Sequence, residues 1–377
     1  MPWPPGGASG HTAVMSHVRI EHTTVARGPE VLLDAVDLDV ASGERVAILG
    51  ASGAGKSTLL RLIAGLEAPV AGRVLIDEIE VTHLPPAQRG VAMLFPRGGL
   101  QPHLRVRDNL ALPLRVRHRS RREVARRVAA EARAFTIDDL LDRRPATLAG
   151  GQRQVVGLAR SLVHRRGVLL ADEPVTGLDA RQRAAVLREL LTVQEGYGTT
   201  LLVATNDPTL ALTLAHRVAV LDHGRLEQIG TPEELAARPA TRQVADLATP
   251  WPLVVLPGRV VRVRGRTRII APPLLVTSHR PEIADLAGED VVVGVSPQAV
   301  TPTDAGDERR GTFDAQVTHR AFLGAEVQAT LTDARGASLV AVLRAPGPDL
   351  DAWARFRVDP AQLHLFTPHG PALAHGV

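Results

Sequence analysis

One segment of the chain has the residue types and spacing of a phosphate-binding loop. It consists of Gly50, Ala51, Ser52, Gly53, Ala54, Gly55, Lys56, Ser57 and Thr58. A strand-like run, Val46–Leu49, precedes it and a helical pattern, Ser57–Leu66, follows it, which is the context that such a loop requires. Glycines let backbone N–H groups turn inward around an anion, and the following helix adds partial positive charge. The pattern predicts nucleotide binding, with Lys56 at the β- and γ-phosphates and Ser57 on Mg²⁺.

Lys56 is the only lysine among the 44 lysine and arginine residues of the chain. The simplest cause is a coding bias that replaces lysine by arginine wherever either side chain will serve. A lysine that survives this replacement has a task that arginine cannot perform, because a compact ammonium fits places that a planar guanidinium does not. The single lysine and the loop motif therefore support each other.

A second chemically useful group follows the apolar run Val168–Ala171. Asp172 and Glu173 come directly after this run, which places both carboxylates at the carboxyl edge of a sheet, beside the phosphate loop. An acidic pair at a strand end is weak evidence by itself, and it gains weight downstream of a phosphate loop. We expect Asp172 to bind Mg²⁺, directly or through water, and Glu173 to polarise the attacking water.

The elements that must position these groups alternate between Met15 and about Gly230. Short apolar runs and helical patterns follow one another, which is typical of an α/β domain with a largely parallel sheet. The apolar runs are Val46–Leu49, Val74–Ile76, Val91–Leu94, Val168–Ala171, Leu201–Ala204 and Val218–Leu221. Residues 105–147 contain no such run and predict an all-helical insertion within this domain, 15–230.

Four further segments differ in composition. Residues 1–14 are rich in proline and glycine, and they lack the basic and apolar regions of a signal peptide, so we expect them to be a disordered lead. Residues 231–251 predict a helical linker. Residues 252–366 contain short β-rich runs separated by glycine, proline and aspartate, which is typical of a small β-barrel or sandwich. Residues 367–377 are expected to be a disordered tail.

Composition excludes several classes of function. The chain has no cysteine, which excludes a disulfide scaffold, thiol catalysis and a zinc–thiolate site. A net charge of +4 and 3% aromatic residues give little support to nucleic-acid binding. The basic stretch Arg115–Arg133 also carries interleaved acidic and apolar residues, which favours a solvated helical face. No apolar run approaches the roughly 20 residues that span a bilayer. We expect a cytoplasmic protein without a nucleic-acid partner.

A third motif lies ahead of the acidic strand and consists of Leu148, Ala149, Gly150, Gly151 and Gln152. With the phosphate loop, the acidic strand end and residues 176–179, it resembles the ATP-binding-cassette (ABC) family in order and spacing over roughly residues 17–245. The resemblance implies a P-loop cassette that binds ATP and Mg²⁺. It also implies a head-to-tail homodimer or heterodimer, in which one subunit's phosphate loop and the other's signature, Gly150 and Gly151, clamp each ATP, with Asp179 in the D-loop.

The C-terminal region narrows the resemblance to one group within the ABC family. Residues 293–297 and 357–366 resemble the small TOBE-like regulatory β-domain of ATPase subunits from bacterial importers of sugars, polyamines, ferric ions, sulfate and molybdate. Residues 100–110 resemble the segment that docks the coupling helix of a membrane subunit. The resemblance implies a peripheral protein on the inner face of the cell membrane. It would power separate permease subunits and act indirectly with a solute-binding protein.

Three residues depart from the family pattern at nucleotide contacts. Pro96 stands where the family has its Q-loop glutamine, and proline can neither coordinate Mg²⁺ nor hold the attacking water. Ala149 replaces the signature serine, and one lost polar contact to a charged group costs about 1.5–3 kcal/mol. Asn206 occupies the switch position in place of histidine, and its amide cannot become cationic.

A fourth departure concerns the adenine. No aromatic residue lies between Trp3 and Phe95, so the ring expected ahead of the phosphate loop is absent. His22 or Arg27 could cover the adenine instead, and Val25–Gly28 could equally form a simple turn.

These departures leave two interpretations of the activity open. In the first, the chain is a working ATPase subunit with altered turnover, because Lys56, Asp172, Glu173 and Asp179 are retained. In the second, it binds ATP and dimerises but hydrolyses ATP weakly, as a regulatory or heterodimer partner. A DNA- or ribosome-associated ABC ATPase is a third alternative, and the single phosphate loop and the C-terminal β-domain argue against it.

Overall fold

The computed structural model describes residues 16–116, 118–163, 166–304 and 311–376. The expected disordered lead, residues 1–14, lies outside the described residues. The chain divides into two compact units, Met1–Leu226 and Glu227–Val377.

The first unit contains the elements that carry the phosphate loop and the acidic strand. Its strands, the last of which crosses the unit boundary, are β1 (Val18–Arg27), β2 (Glu30–Val40), β3 (Arg45–Leu49), β4 (Ala71–Ile76), β5 (Ile79–Glu80), β6 (Val91–Leu94), β7 (Val168–Asp172), β8 (Thr200–Thr205), β9 (Arg217–Asp222) and β10 (Arg225–Gly230). Its helices are α1 (Lys56–Ala64), α2 (Val106–Val116), α3 (Arg121–Ala134), α4 (Gly150–Leu162), α5 (Ala180–Tyr197) and α6 (Pro208–Leu214).

The strands of the first unit form two sheets. One has six strands in the order β10-β9-β3-β8-β7-β6, and the pairs β9–β3, β3–β8, β8–β7 and β7–β6 are parallel. Strands β3, β7 and β8 are almost wholly buried, which explains their continuous apolar runs. Their carboxyl ends therefore lie at one edge, where the phosphate loop, Asp172 and Asn206 follow.

The second sheet was not foreseen as a separate layer. It is antiparallel, with the order β2-β1-β4-β5. The assignment of Val74–Ile76 to the parallel sheet was therefore wrong, because β4 pairs antiparallel with β1. A buried apolar triplet has the same appearance in either sheet, and only pairing distinguishes the two. Strand β1 also continues through Val25 to Arg27, so this segment is not a simple turn.

The region 105–147 contains α2, α3 and two short 3₁₀ helices, Asp138–Leu140 and Pro145–Thr147. Helix α3 begins at the N-cap Ser120, whose hydroxyl accepts a hydrogen bond from the Glu123 N–H. Apolar residues of α2, α3 and α4 join one buried cluster with β6, β7 and α5, which ties the helices to the sheet.

The second unit is mostly β-structure after two short helices, α7 (Pro232–Ala237) and α8 (Arg242–Leu247). The remaining elements are β11 (Val254–Val263), β12 (Arg266–Ala271), β13 (Leu274–Ser278), α9 (Pro281–Ala284), β14 (Asp290–Val295), β15 (Val300–Thr303), β16 (Thr312–Phe322), β17 (Glu326–Thr332), β18 (Ser338–Arg344), β19 (Trp353–Val358), β20 (Leu363–Phe366) and β21 (Ala372–His375). They form two antiparallel sheets, β13-β12-β11-β14-β20-β21 and β15-β19-β16-β17-β18, around one apolar core.

The tail corrects an expectation. Residues 372–375, which were expected to be disordered, form β21 and pair with β20. Alanine, leucine and histidine in this short stretch carry no strong strand signal, so its order depends on the partner strand. Within the part of the chain that the structure describes, no helix combines the length and the apolar character needed to cross a membrane.

Candidate nucleotide site

The phosphate loop joins β3 to α1 and owes its shape to glycine. Gly55, with φ +101°, is the N-cap of α1, and a Cβ there would lie 2.8 Å from the Leu32 carbonyl oxygen. Gly50 is as restricted, because a Cβ would lie 2.3 Å from the Leu221 carbonyl oxygen. Ala51, Ser52 and Gly53 are exposed at the top of the loop. A glycine N-cap offers no side chain to the first N–H groups of α1, which suits the binding of an anion there.

Lys56 is the first residue of α1, and its side chain lies back across the loop. Its Nζ donates to the Gly50 carbonyl at 2.9 Å and to the Ala51 carbonyl at 2.8 Å. Burial lowers the pKa of Lys56, while the nearby charges of Glu173 and Asp172 act in the opposite direction. Two carbonyls hold the ammonium at the mouth of the loop, where a phosphate oxygen would meet it. Thr58 follows on α1 and is half-buried.

Ser57 and Asp172 meet although 115 positions separate them. The Ser57 hydroxyl donates to Asp172 Oδ1 at 2.9 Å. Burial raises the pKa of Asp172, and the Ser57 hydrogen bond and the charges of Lys56 and Arg61 oppose that rise. A hydroxyl and a carboxylate side by side are oxygen ligands suited to Mg²⁺, which takes one or two protein oxygens and completes its shell with phosphates and water. The residues present therefore fit the metal.

Glu173 directly follows β7 with an unusual backbone. Its φ is +46°, and its N–H donates to the Ala204 carbonyl on β8 at 2.9 Å. The hydroxyl of Thr176 donates to Glu173 Oε2 at 2.8 Å. The side chain is only partly buried. Glu173 therefore follows Asp172 directly at the end of β7, and its carboxylate is a group that can accept a water proton.

The signature residues form the start of α4. Ala149 is the N-cap and has no side-chain oxygen to satisfy the first N–H groups of this helix, while the Gln152 amide oxygen accepts from the Ala149 N–H at 3.1 Å. Gly150 and Gly151 allow close packing, since a Cβ on Gly151 would lie 3.1 Å from Gln182 on α5. Leu148 is buried in the helical core. Among the described residues, no hydrogen bond joins the signature to the phosphate loop.

The D-loop residue and the switch residue lie at neighbouring helix starts. Asp179 is the N-cap of α5 and accepts from the Gln182 N–H at 2.8 Å. Asn206 is exposed between β8 and α6. The next residue, Asp207, caps α6 and pairs with Arg183 of α5 at 2.6 Å. The Arg183–Asp207 pair therefore joins the helix of the D-loop to the switch segment.

Pro96 begins a 3₁₀ helix, Pro96–Gly99, that packs on α4. Gly98 and Gly157 approach each other so closely that a Cβ on Gly157 would lie 2.5 Å from Gly98 Cα. Arg160 of α4 donates to the Gly99 carbonyl. The segment that would carry the Q-loop glutamine is thus held against the signature helix, and proline offers no side-chain donor or acceptor to a nucleotide.

The two candidates for the adenine contact both lie against acidic side chains. His22 Nδ1 lies 2.8 Å from Asp37 Oδ2, and Arg27 Nη2 lies 3.1 Å from Glu67 Oε1. Both side chains are largely exposed. Their contact with adenine stays a prediction.

The structure thus brings Lys56, Ser57, Asp172 and Glu173 to one sheet edge, and it leaves the signature on a separate helix start. Sequence reasoning assigned no role to Thr176, although it belongs to the quoted motif at residues 176–179. The sequence did contain a signal for the contact between Thr176 and Glu173, because a hydroxyl follows a carboxylate by three residues within a turn.

Residues 33–176 match the ABC transporter family, and residues 280–366 match the TOBE domain. Over 338 residues the chain is 39% identical to the sn-glycerol-3-phosphate import ATP-binding protein UgpC of Cereibacter sphaeroides, covering 89% of this chain and 93% of the relative. The chain belongs to the ABC transporter family. A UgpC of Rhizobium johnstonii is 37% identical to this ABC protein over 333 residues, covering 85% of it and 89% of the relative.

The fold of this ABC protein also matches solved cassettes. A dimeric post-hydrolysis state of the cassette MJ0796, bound to ADP and Pi, superposes with a TM-score of 0.52 at 30% identity, covering 57% of this chain and 98% of the other. The predicted family, the P-loop cassette and the C-terminal β-domain are confirmed. The import relatives also confirm an ATP-hydrolysing import subunit and give no support to the regulatory alternative.

Proposed function

We propose that the chain hydrolyses ATP at the edge of β3 and β7 and uses the energy to drive permease subunits of an importer. The observation that carries the proposal is the hydrogen bond of 2.9 Å between Ser57 and Asp172, next to Glu173. This hydrogen bond places the proposed metal ligands side by side at the sheet edge that also carries Lys56, for the phosphates, and Glu173, for the attacking water. Phosphoryl transfer requires these groups and little covalent chemistry from the protein.

The residues divide the work by charge and position. Lys56 moves its ammonium from the two loop carbonyls to the β- and γ-phosphates, and the N–H groups of residues 53–58 donate to phosphate oxygens. Ser57 and Asp172 would hold Mg²⁺, which neutralises phosphate charge when bound. Glu173 accepts a hydrogen bond from the attacking water and orients it toward the γ-phosphate.

A second copy of an ATPase subunit completes the proposed site. The α4 N-terminus presents N–H groups that the Ala149 side chain cannot cap, and its helix dipole favours an anion. These groups would reach the γ-phosphate held by the partner, with Asp179 beside them. The solved dimer of a related cassette supports this arrangement, and either a homodimer or a heterodimer satisfies it.

The relatives also support a proposal for the partners of the dimer. The relatives are named import ATP-binding proteins, which supports a role beside the permease subunits of an importer. We propose that residues 100–110 contact the coupling helix of such a permease. Asn109 supports this surface, because its fully buried amide accepts from the Gln101 N–H at 2.7 Å and donates to the Gln101 carbonyl at 3.1 Å. The protein would lie on the inner face of the cell membrane, and a solute-binding protein would deliver cargo to the permease.

ATP hydrolysis by the purified full chain tests the proposal. We expect Mg²⁺-dependent phosphate release that Glu173→Gln reduces at least a hundredfold, with ATP affinity retained. Glu195→Gln, an exposed glutamate on α5, is the matched control and should leave turnover unchanged. Phosphate release that Glu173→Gln does not reduce would refute the assigned role.

Restoring the three altered contacts measures how much ATP turnover the chain loses without them. Pro96→Gln, Ala149→Ser and Asn206→His together should raise turnover about a hundredfold, if the missing contacts contribute roughly 3 kcal/mol to the transition state. Adding Glu173→Gln should abolish the gain. Equal turnover in the native chain and the triple variant would show that other residues replace these contacts. A native chain that stays inactive with its permease would favour binding without hydrolysis.

A further inference from the structure

Thr176 lies where it can orient the carboxylate that we assign to the attacking water. Its hydroxyl donates to Glu173 Oε2 at 2.8 Å, which engages one carboxylate oxygen and leaves Oε1 to accept from water. The turn between the two residues brings them together, since the Thr176 N–H points at the Glu173 carbonyl at 3.4 Å.

The backbone of Glu173 is held independently of its side chain. The left-handed φ of +46° and the N–H bond to Ala204 fix the Cα of Glu173 at the end of β7. The side chain beyond Cα still has three rotatable bonds, and its carboxylate is only partly buried. The hydrogen bond from Thr176 restricts those rotations, and a positioned group reacts faster than a freely rotating one.

Two described residues occupy positions where the family has a glutamine and a histidine that could orient the water. Pro96 has no polar side-chain atom, and Asn206 is exposed and cannot carry a proton charge. These replacements place more of the orientation of the water on Glu173, whose carboxylate accepts the hydrogen bond from Thr176.

We propose that Thr176 is a positioning residue for hydrolysis, which acts through Glu173 and not on the nucleotide. The inference rests on the proposed function, because it assumes that Glu173 orients the attacking water. Thr176→Val removes the hydroxyl and keeps the shape of the side chain. We expect turnover to fall about tenfold, with the KM for ATP unchanged. Thr176→Ser, which keeps a hydroxyl, should restore most of the turnover.

A double-mutant cycle separates positioning from a structural effect. Glu173→Asp withdraws the carboxylate by one methylene and out of reach of Thr176, so adding Thr176→Val should cause no further loss. Thr192→Val on α5 is the matched control, because the Thr192 hydroxyl donates to the Arg188 carbonyl at 2.8 Å, away from the site. It should hydrolyse ATP at the native rate.

The outcomes distinguish the inference from the function on which it rests. Native turnover in Thr176→Val, or an equal tenfold loss when Thr176→Val is added to Glu173→Asp, would overturn the positioning role alone. A raised KM for ATP in Thr176→Val would also overturn it, since the residue would then act on nucleotide binding. Hydrolysis that does not depend on Glu173 in the native background would overturn the proposed function, and the positioning role with it.

Discussion

Replacing Lys56 by arginine is the most direct test of the phosphate loop. The substitution keeps the positive charge, and it follows the composition of the chain, in which arginine stands at each of the other lysine or arginine positions. Lys56 is 7% exposed, and its ammonium donates to two carbonyls at 2.8 and 2.9 Å. A guanidinium is planar and wider, so it cannot occupy this position without displacing the loop.

The expected magnitude follows from the contacts that the ammonium makes. A hydrogen bond to a charged group contributes about 1.5–3 kcal/mol, and the ammonium would make at least one such bond to a phosphate. A loss of 1.4 kcal/mol lowers affinity about tenfold. We therefore expect Lys56→Arg to weaken ATP binding at least tenfold, while the fold persists because the side chain lies at the mouth of the loop.

Titration calorimetry with ATP measures the effect, and thermal melting without nucleotide shows whether the variant is folded. Arg61→Lys on α1 is a control that makes the reverse exchange on an exposed side chain, and it should bind ATP like the native chain. An unchanged ATP affinity in a folded Lys56→Arg variant would refute the assignment of the loop.

Two further predictions concern stability. Gly157→Ala should lower the free energy of unfolding, measured in urea, by about 2 kcal/mol, because its Cβ would lie 2.5 Å from the Gly98 backbone. The control is Gly196→Ala, at a helical position with open space, and it should raise the free energy of unfolding by about 1 kcal/mol. Burial lowers the pKa of His364 to about 4, with His375 Nδ1 at 3.1 Å from its own Nδ1. Because the unfolded chain then binds the proton more readily between pH 6.5 and 4, stability should fall by about 2 kcal/mol from pH 7 to pH 5. Tryptophan fluorescence in urea would record this loss, and a His364→Phe variant that lost as much would contradict the explanation.

Much of the site could be predicted because its parts are contiguous. A glycine-rich loop between a strand and a helix specifies its own conformation, so residues 50–58 were assigned from spacing alone. Asp172 and Glu173 were assigned for the same reason, since an apolar run that ends in carboxylates indicates the edge of a sheet. The order of these motifs also indicated the family, which the relatives then confirmed.

Other features required the fold, because they depend on pairing and side-chain direction. Hydrophobic alternation does not specify which strand is the partner of another. The sequence analysis therefore missed the antiparallel sheet of β1, β2, β4 and β5 and the ordered tail strand β21. The contacts Thr176–Glu173 and Arg183–Asp207 connect side chains whose directions are set by turns and helix starts. By itself, the sequence determined which groups are available for phosphate chemistry, because that depends on residue type and local order. Only the tertiary structure decided which of them meet and which residue orients another, because packing between distant segments sets those distances.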